Sequence, residues 1–172
     1  MFLRVRQKGF TFIELAVAIA IIGILSALVL SGAAASRKSA RVAQRVSDMK
    51  KVQAALDLYY AKNKSYPVTN AWRGICYSYN GGGAYTKANG SWIPGLSPDY
   101  IQFVPTDPQS SPSGDANCYL YFSNGTDYAF LVHQVTELSN GSPGASYAKY
   151  PEFFDPIRPT WAWKVSSPGG NF

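Results

Sequence analysis

The chain has 172 residues, 47% of them hydrophobic and only 15% charged, which excludes a disordered polymer and suits one folded domain plus an extra element. Its formal charge of +6 is unevenly placed. Arg4, Arg6 and Lys8 precede an apolar run, Arg37, Lys38, Arg41, Arg45, Lys50 and Lys51 follow it, and the chain beyond residue 65 is roughly balanced. Basicity confined to the two ends of one segment argues against a general nucleic-acid-binding surface, and no nucleic-acid partner is expected.

From residue 10 to residue 35 the only charged side chain is Glu14. As a helix, a run of that length rises ~39 Å, enough to cross a ~30 Å hydrocarbon core. A carboxylate is expensive in such a setting and persists where it has a partner. Three readings compete for the segment. A secretory signal peptide fits the basic start MFLRVRQKG, the apolar middle and a cut at Ala33-Ala34-Ala35. A plain signal anchor fits equally well. Neither explains Glu14.

The stretch KGFTFIEL supplies the third reading. It resembles the cleavage site of type IV pilins and of the pseudopilins of type II secretion, and the likeness runs from Lys8 to Leu30 through FTFIEL and the IIGIL block. The resemblance implies that residues 1–9 are a leader cut after Gly9 by a prepilin peptidase. Phe10 then becomes an N-methylated N-terminus. A free α-amino group has a pKa near 8 and methylation keeps it cationic. Glu14, the fifth residue of the product, lies one turn from that amine in its own chain. The family assigns it instead to the amine of a neighbouring subunit during assembly.

The same resemblance implies a helical homopolymer raised by a membrane assembly platform and a cytoplasmic ATPase. It places the unassembled subunit in the bacterial inner membrane as a single-pass protein with its N-terminus in the cytoplasm. After assembly the subunit stands in a surface filament or a periplasmic pseudopilus. Two features depart from the pattern. Family members often carry a proline about two-thirds along the apolar segment, where this chain has Ser31-Gly32, a pair that can loosen a helix. The outer flank is also at least as basic as the leader, which the positive-inside bias does not explain.

Beyond the apolar half (10–35), residues 36–66 are expected to extend the helix. Val42, Val46, Met49, Val52, Leu56 and Tyr59 or Tyr60 recur at spacings of three and four, an amphipathic stripe. Ser65-Tyr66-Pro67 should end it, giving one helix of roughly 55 residues. Residues 67–172, rich in Tyr, Gly, Asn, Ser and Pro, form the head. In CYLYFS-NG-TDYAFLVHQ, Asn124-Gly125 between alternating apolar runs predicts a two-residue hairpin turn with positive φ at both positions. Cys118, Leu120, Ala129 and Leu131 then share one face, and Tyr119, Tyr121, Tyr128 and Phe130 the other. Further strands are expected at 75–79, 85–93 and 160–165, with loops at 94–117 and 139–159. The fold class is α+β, a long N-terminal helix packed on a small antiparallel sheet, and the family's pilin fold is the same.

Two cysteines, Cys76 and Cys118, allow one connectivity. An oxidising compartment favours a bridge and a reducing one two buried thiols; export of the head selects the bridge. His133 is the only histidine, and no serine or cysteine stands in a nucleophile setting. P-loop, zinc and dinucleotide motifs are absent, so no enzyme is expected. Asp107, Asp115 and Asp127 raise calcium but lack the spacing of a ligand loop, and no cofactor is expected. Asn89, Asn124 and Asn140 each begin an Asn-Gly-Ser/Thr triplet that reads as turn chemistry. Twelve tyrosines and four tryptophans suggest either a tyrosine-faced sheet packed beneath the long loops or a sugar-binding surface, with Trp161 and Trp163 open to both. A monomeric, membrane-anchored or secreted binding module, for carbohydrate for example, is therefore the alternative to a filament subunit.

Overall fold

The computed structural model describes residues 9–76, 92–111, 114, 116–133 and 149–172, the side chains of 28–32 aside. The elements in chain order are α1 (Phe12–Asn63), β1 (Arg73–Gly74), β2 (Cys118–Ser123), β3 (Tyr128–His133), a 3-10 turn (Pro151–Phe153) and β4 (Ala162–Ser166). The chain divides into two compact units, Met1–Ala40 and Arg41–Phe172.

In the first unit α1 leaves its apolar side chains uncovered: Phe12, Ile13 and Ile24 are each more than 60% exposed. Among the described residues no helix is long and apolar enough to cross a membrane. The span expected at residues 10–35 is therefore not shown among the described residues.

In the second unit the stripe on α1 is the one the spacing predicts. Met49, Val52, Ala55 and Leu56 are fully buried, and Val42, Val46 and Tyr59 pack beside them. Tyr60 is 40% exposed, so Tyr59 is the tyrosine that continues the stripe. The helix ends earlier than the proline would end it. Lys64 takes a left-handed φ of 59° and its N–H donates to the Tyr60 carbonyl at 2.8 Å, while Asn63 Nδ2 donates to the Tyr59 carbonyl at 2.9 Å. A left-handed residue after the last turn and a side-chain amide on a carbonyl of that turn close the helix.

The four strands form one antiparallel sheet in the order β1-β2-β3-β4. The alternation assigns the faces as expected. Tyr119, Tyr121, Tyr128 and Phe130, with Val132, Trp163 and Val165, join the main core with the helix stripe. Cys118, Leu120 and Leu131 form a second cluster with Cys76 and Trp72. The hairpin register differs. Pairing stops at Ser123↔Tyr128, so four residues connect the strands rather than two. Among the described residues of this turn only Gly125 has positive φ (94°). Asn124 Oδ1 instead accepts the N–H groups of Thr126 (3.0 Å) and Asp127 (2.8 Å). Asp127 Oδ1 in turn accepts from Ser167 Oγ (2.7 Å) and the Gly169 N–H (3.1 Å). The slip moves every cross-strand partner by two residues and so leaves every face unchanged.

The other expected strands shift or shrink. Of the strand expected at 75–79, Ile75 and Cys76 are not in a strand and follow the two-residue β1, while 77–79 lie outside the described set, as do 85–91 of the strand expected at 85–93. Trp92 and Ile93 are buried without strand pairing, and Leu96 and Val104 follow them into the core from the irregular stretch that the prolines predict. Strand 160–165 is β4, starting two residues later.

Candidate functional site

Thr11 stands just before α1 and Glu14 lies in its first turn. The Thr11 N–H donates to Glu14 Oε2 at 2.8 Å, and Thr11 Oγ1 donates to the same oxygen at 2.7 Å. The Glu14 N–H returns a bond to Thr11 Oγ1 at 3.3 Å. This is a reciprocal capping box, in which the two side chains satisfy backbone N–H groups that the first turn leaves without partners. Its sequence signal, Thr-x-x-Glu ahead of an apolar run, is local, and the search for a partner one turn away or in another chain passes over it.

The cap uses Oε2, and Oε1 has no partner among the described residues. The carboxylate is exposed on the helix face that also carries Ile13, Val17, Ala18 and Ile21. Phe10 precedes it at 91% exposure. Gly9 is not required by the fold: a Cβ built there meets nothing within 4 Å.

The head is held against α1 by charges that the sequence does not connect. Arg45 and Asp107 are both fully buried. Arg45 Nε donates to Asp107 Oδ2 at 2.7 Å, Nη2 to Oδ1 at 3.0 Å, and Nη2 also to Gln109 Oε1 at 2.9 Å. The paired, planar geometry is the one guanidinium and carboxylate favour. Three residues on, Asp48 accepts the Tyr119 hydroxyl at 3.2 Å. Burial raises the Asp48 pKa above its ordinary value, and burial together with the nearby Asp48 and Asp107 carboxylates pushes the Tyr119 hydroxyl far up.

Asp107 and Asp127 thus serve different neighbours, a buried arginine and the Ser167–Gly169 turn, and Asp115 lies outside the described residues. Among the described residues no group of three or more His, Cys, Asp or Glu could hold a metal ion. Cys76 and Cys118 are bonded, with Cα atoms 6.1 Å apart. Asn124 is spent on its turn; Asn89 and Asn140 lie outside the described residues. His133 sits on the second face of the sheet, edge-on to Trp161. Trp163 is buried in the main core and Trp161 is 38% exposed. The buried tyrosine face is covered by α1, the helix expected to lie on the sheet, as well as by loop residues.

Residues 4–30 match the family described as the prokaryotic N-terminal methylation motif. That motif at the head of an apolar helix, in front of a small antiparallel sheet, defines a pilin-like subunit. The type II secretion system core protein G of Pseudomonas aeruginosa is 31% identical over 143 residues, covering 83% of this chain and 91% of its own. The protein of the same name from Escherichia coli is 30% identical over 132 residues, 71% of this chain and 83% of its own. That of Aeromonas hydrophila is 35% identical over 107 residues, 62% and 71% of the two chains. No solved structure matches this chain. The chain belongs to the type II secretion system core protein G family, the pseudopilins, and is a structural subunit of a pseudopilus-like filament. These findings do not favour the monomeric binding module.

Proposed function

We propose that the chain is made as a precursor, cut between Gly9 and Phe10 by a prepilin peptidase, and N-methylated at Phe10. Residues 10–35 hold it in the bacterial inner membrane with the N-terminus in the cytoplasm. An assembly platform and its ATPase then draw subunits into a periplasmic pseudopilus that serves protein secretion. The role is mechanical; the chain performs no catalysis and carries no cofactor.

The observation that supports this best is the state of Glu14. Its cap uses one oxygen, and the other is left open on an exposed apolar helix face. A buried carboxylate is tolerated when paired, and the amine of a neighbouring Phe10 is a cation that could meet it within such a filament. An intermolecular pair of this kind also fixes the axial register between subunits.

Mass spectrometry of the N-terminus of protein purified from membranes tests the processing step. A chain starting at methylated Phe10 is expected. A start at Ser36 means removal by signal peptidase, and a start at Met1 means an uncut anchor; either result overturns the proposal.

A further inference from the structure

Arg37 and Lys38 follow the apolar run within one helical turn, and no acidic residue occurs between Glu14 and Asp48. Arg37 is exposed and Lys38 half-buried. Neither has an ion pair, hydrogen bond or ring contact among the described residues. Three cations farther along α1 face carboxylates. Arg45 binds Asp107, Lys50 faces Glu152 at 3.9 Å and Lys51 faces Asp48 at 3.8 Å. A surface helix ordinarily interleaves acids three or four residues from its bases, and here that pattern begins only at Asp48. Membrane orientation does not account for the unmatched pair either, because the positive-inside bias disfavours cations on the far side of a span.

We propose that Arg37 and Lys38 form a collar that binds the phosphate headgroups of anionic phospholipids where the apolar helix leaves the membrane. The proposal rests on the membrane-inserted precursor described above. The apolar run ends at Ala35, and residues 37 and 38 lie within about 5 Å of it along the helix axis, at headgroup depth. Their aliphatic stems lie along hydrocarbon while the charged ends reach the interface. Arginine can fork a phosphate with two parallel bonds, and lysine adds a compact charge. Each cation near an anionic surface strengthens binding about fivefold, so the pair together gives roughly 25-fold over a zwitterionic lipid. The collar sets how deep the waiting subunit sits and must release its lipid when the subunit enters the filament.

The test uses full-length protein in detergent micelles doped with equal amounts of phosphatidylglycerol and phosphatidylcholine, with retained lipids counted by native mass spectrometry. Flotation with phosphatidylcholine vesicles first establishes insertion. Phosphatidylglycerol should be retained in preference, and Arg37→Gln with Lys38→Gln should lose that preference. Lys50→Gln with Lys51→Gln, an equal charge loss on the same helix, should keep it. Equal retention of the two lipids by the natural chain, or an unchanged preference in the Arg37/Lys38 variant, overturns the collar alone. Displacement of phosphatidylglycerol by equimolar inorganic phosphate assigns the pair to free phosphate and also overturns it. Failure to float overturns the membrane-inserted precursor and the collar with it.

Discussion

Replacing Asp107 with asparagine leaves its shape nearly unchanged and removes its charge. In the native head both carboxylate oxygens are engaged: Oδ2 by Arg45 Nε at 2.7 Å, and Oδ1 by Arg45 Nη2 at 3.0 Å and the Gln109 N–H at 2.8 Å. Arg45 has no exposed surface, so its guanidinium would stay buried without a counter-charge. Breaking one side of such a pair typically costs ~3–5 kcal/mol. For a folded unit of this size, each kcal/mol lowers the melting temperature by about 3–4 °C, which places the expected loss at about 9–20 °C. Near-UV circular dichroism of the full chain in detergent reads it, because Trp92 sits in the same loop system, donating to the Pro105 carbonyl at 3.3 Å. Arg45→Met combined with Asp107→Leu removes both charges and should be less damaging than Asp107→Asn alone, since no unpaired ion remains. The loss in Asp107→Asn should be the same in calcium as in chelator, because this carboxylate serves an arginine. A melting point within about 3 °C of the natural protein, a double variant worse than the single, or a calcium-dependent loss would refute this account.

Three further outcomes are expected. Glu14→Gln keeps the capping box, since glutamine also caps, yet it should abolish filaments, read by in-cell crosslinking of subunits, while cleaved subunits accumulate in membranes; Thr11→Ala removes a cap of about 1 kcal/mol and should weaken assembly far less. Normal filaments from Glu14→Gln, or equal defects in both, would show that the carboxylate serves its own helix alone. Asp48 has a folded pKa raised by burial above its ordinary 3.8, so the folded head favours its protonated form, and its contribution to stability is fullest below about pH 4 and declines as pH rises through the folded value. Asp48→Asn should flatten that decline, read as a smaller drop in urea midpoint between pH 4 and pH 7; an unchanged slope contradicts the assignment. Removing the Cys76–Cys118 bridge, which closes a separation of 42 residues, should cost about 4 kcal/mol by the chain-entropy relation, measured by denaturant unfolding with and without reductant; coincident curves would count against it.

The features that the sequence alone determined are those with a local period or a contiguous motif. The stripe from Val42 to Tyr59 follows from spacings of three and four. The two faces of β2 and β3 follow from alternation, and they survived a two-residue error in register because the side-chain period is two. KGFTFIEL lies within the N-terminal methylation motif that residues 4–30 match, while the Thr11-x-x-Glu14 cap, though local, is passed over when Glu14 is read for a partner in another chain. Tertiary structure decided whatever depends on partners far apart in the chain. The four-residue hairpin turn is held locally by Asn124 and is also tied, through Asp127, to Ser167 and Gly169 about forty positions on. Asp107 stands in a proline-bounded loop like an ordinary turn former, and only folding brings it to Arg45, 62 residues earlier. Trp161 and Trp163 would share a face in a longer strand, but β4 begins at Ala162, so Trp163 is carried into the core and Trp161 keeps an exposed edge. Spacing along a chain records which residues share a helix stripe or a strand face; it holds no trace of which buried charge will meet which, because that is fixed by packing distant segments and excluding water between them.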